Sequence, residues 1–155
     1  LQARLARLSR ARERREGRQF SVFSSQFLGD DIMQDFHNLV VWQKAHAWVL
    51  SVYKLTKRFP GDERFGLTSQ LRRAAASIPA NLAEACGRGG ELEFSRFVQI
   101  AMGSAAEAEY HVLLAKDLGY LKREDYDSIG AAIVEIKRML ASLLKTARGR
   151  NNQPG

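Results

Sequence analysis

The chain of 155 residues contains a single cysteine, Cys86, so no internal disulfide can form and neither a Cys/Cys nor a Cys/His zinc spacing can be assembled. A reducing compartment, the cytoplasm, is the expected setting. Only 3 prolines and 12 glycines are present, which excludes collagen-like and Pro-rich low-complexity chains. Every apolar stretch is interrupted by Lys, Arg, Glu, Asp or Gln well short of the roughly 20 residues that span a bilayer, so no membrane helix is expected. No uninterrupted apolar run follows the N-terminal Arg cluster, so a secretory signal is not expected either. What remains is 45% apolar and 26% charged, the balance of one packed domain.

The formal charge is +7, unevenly distributed. Residues 1–32 carry seven Arg against Glu13, Glu16, Asp30 and Asp31, a net +3; the other 123 residues carry 17 bases and 13 acids, a net +4. A basic body with a basic arm favours polyanions. Residues 1–32 also differ in texture, Arg-rich to Arg18 and then Phe/Ser-rich, which puts a boundary near Met33. Leu1, Leu5 and Leu8 share one face of a possible helix. Two readings of this extension stay open: a basic arm that folds on nucleic acid or an acidic surface, and a stretch upstream of a true start at Met33.

From Phe36 onward the apolar period is helical. Leu39, Trp42, His46, Val49, Tyr53 and Thr56 recur at spacings of three and four, and Phe59-Pro60-Gly61-Asp62 stops this first helix. Leu67, Leu71, Ala74, Ile78, Leu82 and Ala85 define a second helix that closes at Gly87, Gly89 and Gly90, with a bend expected at Pro79, which lacks a backbone donor. Phe94, Phe97, Ala101, Ser104, Ala108, His111, Ala115 and Leu118 form a heptad stripe ended by Asp117-Leu118-Gly119-Tyr120. Tyr126, Ile129, Ile133, Ile136, Leu140, Leu143 and Ala147 carry a fourth helix to Arg148. No segment alternates with period two, and the connections are short. The expected fold is all-α: an antiparallel up-down-up-down four-helix bundle over residues 33–148, followed by a disordered tail, 149–155.

The residues that carry chemistry point away from catalysis. A di-metal bundle needs Glu-x-x-His pairs, yet Glu84, Glu107 and Glu109 are followed three positions later by Gly87, Tyr110 and Val112. Neither a metal nor a cofactor is expected. His46 and His111 fall in core lanes, where a hydrogen-bonded structural histidine is the plainer reading, and His37 reads as a surface cap. Gly87-Arg88-Gly89-Gly90 follows a helix and lacks the Lys-Ser/Thr of a phosphate loop. Cys86 reads as a small buried hydrophobe. No enzyme is expected; a catalytic Glu84 or Glu107 would require an accessible cleft and a perturbed carboxylate.

Two polar pairs stand out in the small-residue stretches. Asn81 and Glu84, and likewise Ser104 and Glu107, are three apart and share a helix face, so a buried polar layer that fixes packing register is expected there. For nucleic acid, Arg72 and Arg73 are the leading candidates because neither sits at a helix C-terminus, with Lys57, Arg58, Arg88 and Arg96 beside them. Aromatics are not interleaved with these bases as on a single-strand platform, so phosphate-driven, weakly sequence-specific binding is expected. Trp42 and Trp48, six apart, point roughly 120° from each other and cannot share one narrow core stripe; an interface place for one of them is the expectation.

Taken together, Leu39-x-x-Trp42-Gln43-Lys44-Ala45, Phe59-Pro60 with Glu63 and Leu67, Gln70-Leu71-Arg72-Arg73-Ala74, Ser77-Ile78-Pro79-x-Asn81-x-Ala83-Glu84, Phe94-x-x-Phe97 and Ala101-x-Gly103-Ser104-x-x-Glu107 resemble the four-helix-bundle family encoded in 23S ribosomal-RNA intervening sequences. The resemblance runs from about Phe36 to Ala147. It implies a small antiparallel bundle that assembles as a homopentamer, with no known enzymatic activity. A related branch, the accessory variability determinant of diversity-generating retroelements, implies by analogy a partner such as RNA or a reverse-transcriptase-like protein. Where members usually read Asn-Ile-Ala-Glu-Gly, this chain has Asn81-Leu82-Ala83-Glu84-Ala85. The match at Trp42, Pro79, Asn81, Glu84, Ser104 and Glu107 implies an architectural role for those six.

Overall fold

The computed structural model describes residues 35–151, with side chains as far as Arg148. The Arg-rich extension, its possible helix and the boundary near Met33 lie outside the described residues. Four helices account for most of the rest: α1 (Val40–Thr56), α2 (Leu67–Gly87), α3 (Glu91–Asp117) and α4 (Arg123–Asn151), with single 3-10 turns at Phe36–Asn38 and Gly61–Arg64. There is no strand among the described residues.

The breaks fall where local chemistry puts them. Ahead of α1, the Asp35 carboxylate accepts from the His37 backbone N–H at 3.0 Å and nucleates the first 3-10 turn. Ahead of α2, the Glu63 carboxylate accepts from the Leu67 N–H at 2.8 Å, supplying the cap that Gly66 cannot. α3 ends in a Schellman turn: Tyr120 N–H donates to Ala115 O and Gly119 N–H to Lys116 O. That turn needs the left-handed φ of 78° found at Gly119, as the entry to α3 needs the φ of 93° at Gly90.

The helices close a square in which each touches only its two neighbours, α1–α2, α2–α3, α3–α4 and α4–α1. α2 and α3 both bury alanine. Ala74, Ala75 and Ala85 on one side and Ala101, Ala105 and Ala108 on the other are at most 1% exposed. α4 supplies the bulk opposite them, with Ile129, Ile133, Ile136 and Leu140 buried. Across the seams Arg73 meets Glu107 and Ser77 meets Ser104, while Glu109 meets Lys137 and Gln99 meets Arg148.

The buried stripes of α2 and α4 follow the expected spacing, apart from Tyr126, which is half-buried. α1 differs. Its inner face is Val41, Ala45, Trp48, Val49, Val52 and Thr56, whereas Trp42 is half-buried and His46 and Tyr53 are exposed. Both registers satisfy a three-four spacing, and the one that prevails buries aliphatic side chains. It also buries Trp48, whose indole N–H donates to Ile129 O at 2.9 Å and so leaves no unpaired donor in the core. In α3 the stripe holds, except that Ser104 and His111 are half-buried and Leu118, past the helix end, is 49% exposed. α2 runs through the buried Pro79, whose ring leaves the Ala75 carbonyl without its i+4 donor. α4 continues to Asn151, so residues 149–151 are helical rather than tail. Residues 152–155 lie outside the described part.

These burial values separate core from surface in a measurable way. Leu140→Ala, at a fully buried position, is expected to cost about 2–5 kcal/mol in urea unfolding. Leu50→Ala, at a position 58% exposed, should stay within about 0.5 kcal/mol of the parent.

Candidate nucleic-acid interface

The six basic residues singled out in the sequence do not gather into one free patch. Arg73 is exposed and paired with Glu107 at 2.6 Å across the α2–α3 seam. Arg58 is held by Asp125 at 2.7 Å, Arg88 by Glu84 at 2.7 Å and Arg96 more loosely by Glu93 at 3.5 Å; Arg88 and Arg96 also both lie over the Phe97 ring. Arg72 is half-buried. Its Nε donates to Thr56 Oγ1 at 2.8 Å, and its guanidinium sits 4.8 Å from the centre of the Tyr53 ring, tying α2 to α1. Lys57 is exposed and has no partner among the described residues.

The expected polar layer exists in altered membership. Ser77 and Ser104 share a hydrogen bond of 2.9 Å between α2 and α3, and Asn81 Nδ2 donates to both Ser77 O (2.7 Å) and Ser77 Oγ (2.9 Å). Glu107 borders this layer through Arg73, with His111 Nε2 a further 3.6 Å from its carboxylate. Glu84 is not part of it: it is exposed and bound to Arg88, the residue that follows α2. Ser77, which carries the network, has no special weight in sequence, because a serine in an alanine-rich helix gives no sign of which helix it will face. His46 is exposed rather than a core histidine, and His111 is half-buried with Nδ1 unpartnered among the described residues.

A cluster that sequence spacing hides sits at the start of α1. The rings of Trp42 and His46 stack with an interplanar angle of 6° and centroids 5.1 Å apart. Phe36 lies 4.8 Å from Trp42 on the other flank, stacked in turn on His37 at 4.1 Å. His37 is held by Asp35, whose carboxyl lies below its ordinary value because the His37 backbone N–H and then its ring bond the charged form. The signal that could have found this site is the stretch 36–58, which has four cations, Lys44, Lys54, Lys57 and Arg58, and no carboxylate. Lys44 is paired with Glu135, whereas Lys54 and Lys57 are unpaired among the described residues.

On the far side of the bundle, α3 and α4 flank an open groove of about 740 Å³, with Ala106, Gly130 and Ala131 along it and the exposed Tyr110 and Leu113 on its rim. No group of three or more His, Cys, Asp or Glu among the described residues is placed to hold a metal ion, and none of the described helices is long and apolar enough to cross a membrane.

Comparison with known proteins adds the following. A family model described as 23S rRNA-intervening sequence protein matches residues 37–142. Among solved structures, a protein of unknown function from the S23 ribosomal protein family of Bacteroides thetaiotaomicron VPI-5482 is 31% identical, with a TM-score of 0.65; the match covers 68% of this chain and 99% of that one. The curated proteins gave no match.

Two measurements follow from this geometry. Ser77→Ala and Ser104→Ala are each expected to cost about 1 kcal/mol, and the double variant clearly less than the sum, since either change already breaks the shared bond. Burial pushes the Cys86 thiol up to about 11, so native protein near neutral pH should resist alkylation and label on unfolding, read by mass spectrometry. The unfolded thiol ionises first, near 9.0, so stability should fall as pH rises from there toward 11, and Cys86→Ala should remove that component.

Proposed function

The chain belongs to the 23S rRNA-intervening sequence protein family, and from that premise we propose a non-enzymatic homo-oligomeric scaffold whose basic surface binds RNA. The observation that carries this reading is the carboxylate-free stretch 36–58, in which Lys44 and Arg58 are met by acids of α4 and Lys54 and Lys57 have no acid partner among the described residues. Cytoplasmic residence is part of the reading, supported by a lone, buried, unpaired cysteine.

The bundle is read as antiparallel, up-down-up-down. Supporting this, partner numbers rise on one helix as they fall on the next: Arg73 and Ser77 of α2 meet Glu107 and Ser104 of α3, and Gln99 and Glu109 of α3 meet Arg148 and Lys137 of α4. A homopentamer is the assembly the family resemblance implies. A ring of five copies joins two different patches on each protomer.

One observation favours a second reading, a protein-interaction module with no nucleic-acid role. The α3–α4 groove offers Tyr110 and Leu113 to solvent, and aromatic residues are enriched where proteins meet. A nucleic-acid-processing protein such as a reverse transcriptase is the other partner class for the basic surface of the first reading, whereas the groove would take a protein without a nucleic-acid role.

The test is a binding titration against labelled structured RNA across a salt series, with light-scattering mass in the same buffers. Contact with three or four phosphates is expected to weaken affinity by roughly tens-fold to a hundredfold between about 50 and 200 mM salt. Salt-independent binding, or none at low salt, sinks the RNA reading and moves attention to the groove.

A further inference from the structure

Resting on the RNA-binding reading, we propose that the outer face of α1 is a track for single-stranded RNA, with unpaired bases stacking on the Trp42–His46 ladder and phosphates held by Lys54 and Lys57. At 100° per residue, Trp42, Tyr53, His46, Lys57, Leu50 and Lys54 fall within an arc of about 120°. The arc is outward: His46, Tyr53, Lys54 and Lys57 are exposed and Trp42 is half-exposed. Along this face the rings of Trp42, His46 and Tyr53 come first and the cations Lys54 and Lys57 follow, with the exposed Leu50 between His46 and Tyr53. The linear sequence conceals this, since inner residues separate them.

Three features select a single strand over other occupants. First, His46 has Trp42 as its sole ring contact among the described residues and lies nearly parallel to it, so a base on its exposed side extends an existing stack. Bases inside a duplex are already stacked on their neighbours and cannot do this. Second, the face carries no carboxylate of its own, and the acids paired with residues beside it are engaged: Asp35 by His37, Glu135 by Lys44 and Asp125 by Arg58. Third, Tyr53 continues the aromatic line with the Arg72 guanidinium over its ring, so a cation and a π-face are presented together. From Trp42 to Lys57 the helix covers about 22 Å. That is of the order of the shortest single-strand sites, about four nucleotides.

The experiment measures fluorescence anisotropy of a labelled unstructured single strand and of a duplex of equal length, over a salt series, with the full chain. Trp42→Ala and His46→Ala should each weaken single-strand binding roughly five- to a hundredfold at every salt concentration, leaving the salt slope and duplex affinity unchanged. Trp42→Phe should retain most of the affinity. The double variant Lys54→Gln/Lys57→Gln should instead flatten the slope by about 1.4, at about 0.7 per phosphate contact on a single strand. His46 is exposed, so His46→Ala tests the stack even where Trp42→Ala lowers the melting temperature. If wild type binds and both ring variants bind equally well, the track is wrong and RNA binding through other cations stands. If wild type binds neither strand nor duplex at low salt, RNA binding itself fails and the track with it. If Trp42→Ala changes the light-scattering mass and leaves RNA affinity alone, the face is a contact between copies and the proposal is overturned.

Discussion

The close approach of α2 and α3 is the constraint from which the rest of the bundle follows. Both helices bury small side chains, Ala74, Ala75, Ala101, Ala105 and Ala108, none of them more than 1% exposed. Two serine side chains, among the shortest polar groups available, can then meet at 2.9 Å between helices. A more distant seam would strand both hydroxyls. The volume that alanine does not supply comes from the opposite side, where Ile133, Ile136 and Leu140 of α4 fill the centre of the square.

The same economy governs charge. Where α2 and α3 run side by side their flanks are matched: Arg73 with Glu107, Arg88 with Glu84 and Arg96 with Glu93. These pairs are solvent-exposed and each adds little stability, of the order of 0–1 kcal/mol. Their larger effect is to neutralise that part of the surface. α1 has no acids of its own, and its neighbour α4 lends it Glu135, which takes Lys44 alone. Lys54, and Lys57 just beyond the helix, are left without an acid partner among the described residues.

Much of the fold was legible because period and punctuation agree. Leu71, Ala74, Ile78 and Leu82 keep one phase along α2, and Gly90 and Gly119 stand where left-handed turns are required. In α1 the expected Leu39, Val49 and Thr56 are buried, while Trp42, His46 and Tyr53 give way to Val41, Ala45, Trp48 and Val52, because a three-four rule fits neighbouring registers and only the partner helix decides between them. Trp48 takes the inside because Ile129 of α4 offers a carbonyl to its N–H, a fact with a separation of 81 residues that no local pattern contains. The candidate site suffered from the same error. With Trp42, His46 and Tyr53 assigned to the core, the aromatic line could not be seen beside Lys54 and Lys57. The charges were misjudged for a complementary reason: Arg73, Arg58 and Arg88 look free in one dimension, and their acids come from other helices or from a turn away.

The two indoles end in unlike surroundings, and this gives the molecule a pair of built-in optical gauges. Trp48 is 3% exposed and fixed by its hydrogen bond to the neighbouring helix, so its emission should follow the integrity of the bundle interior. Trp42 is half-buried with the His46 imidazole stacked against it, so its emission should respond to whatever alters that stack. Native emission is therefore a composite, in which the blue component reports folding and the red component reports what touches α1.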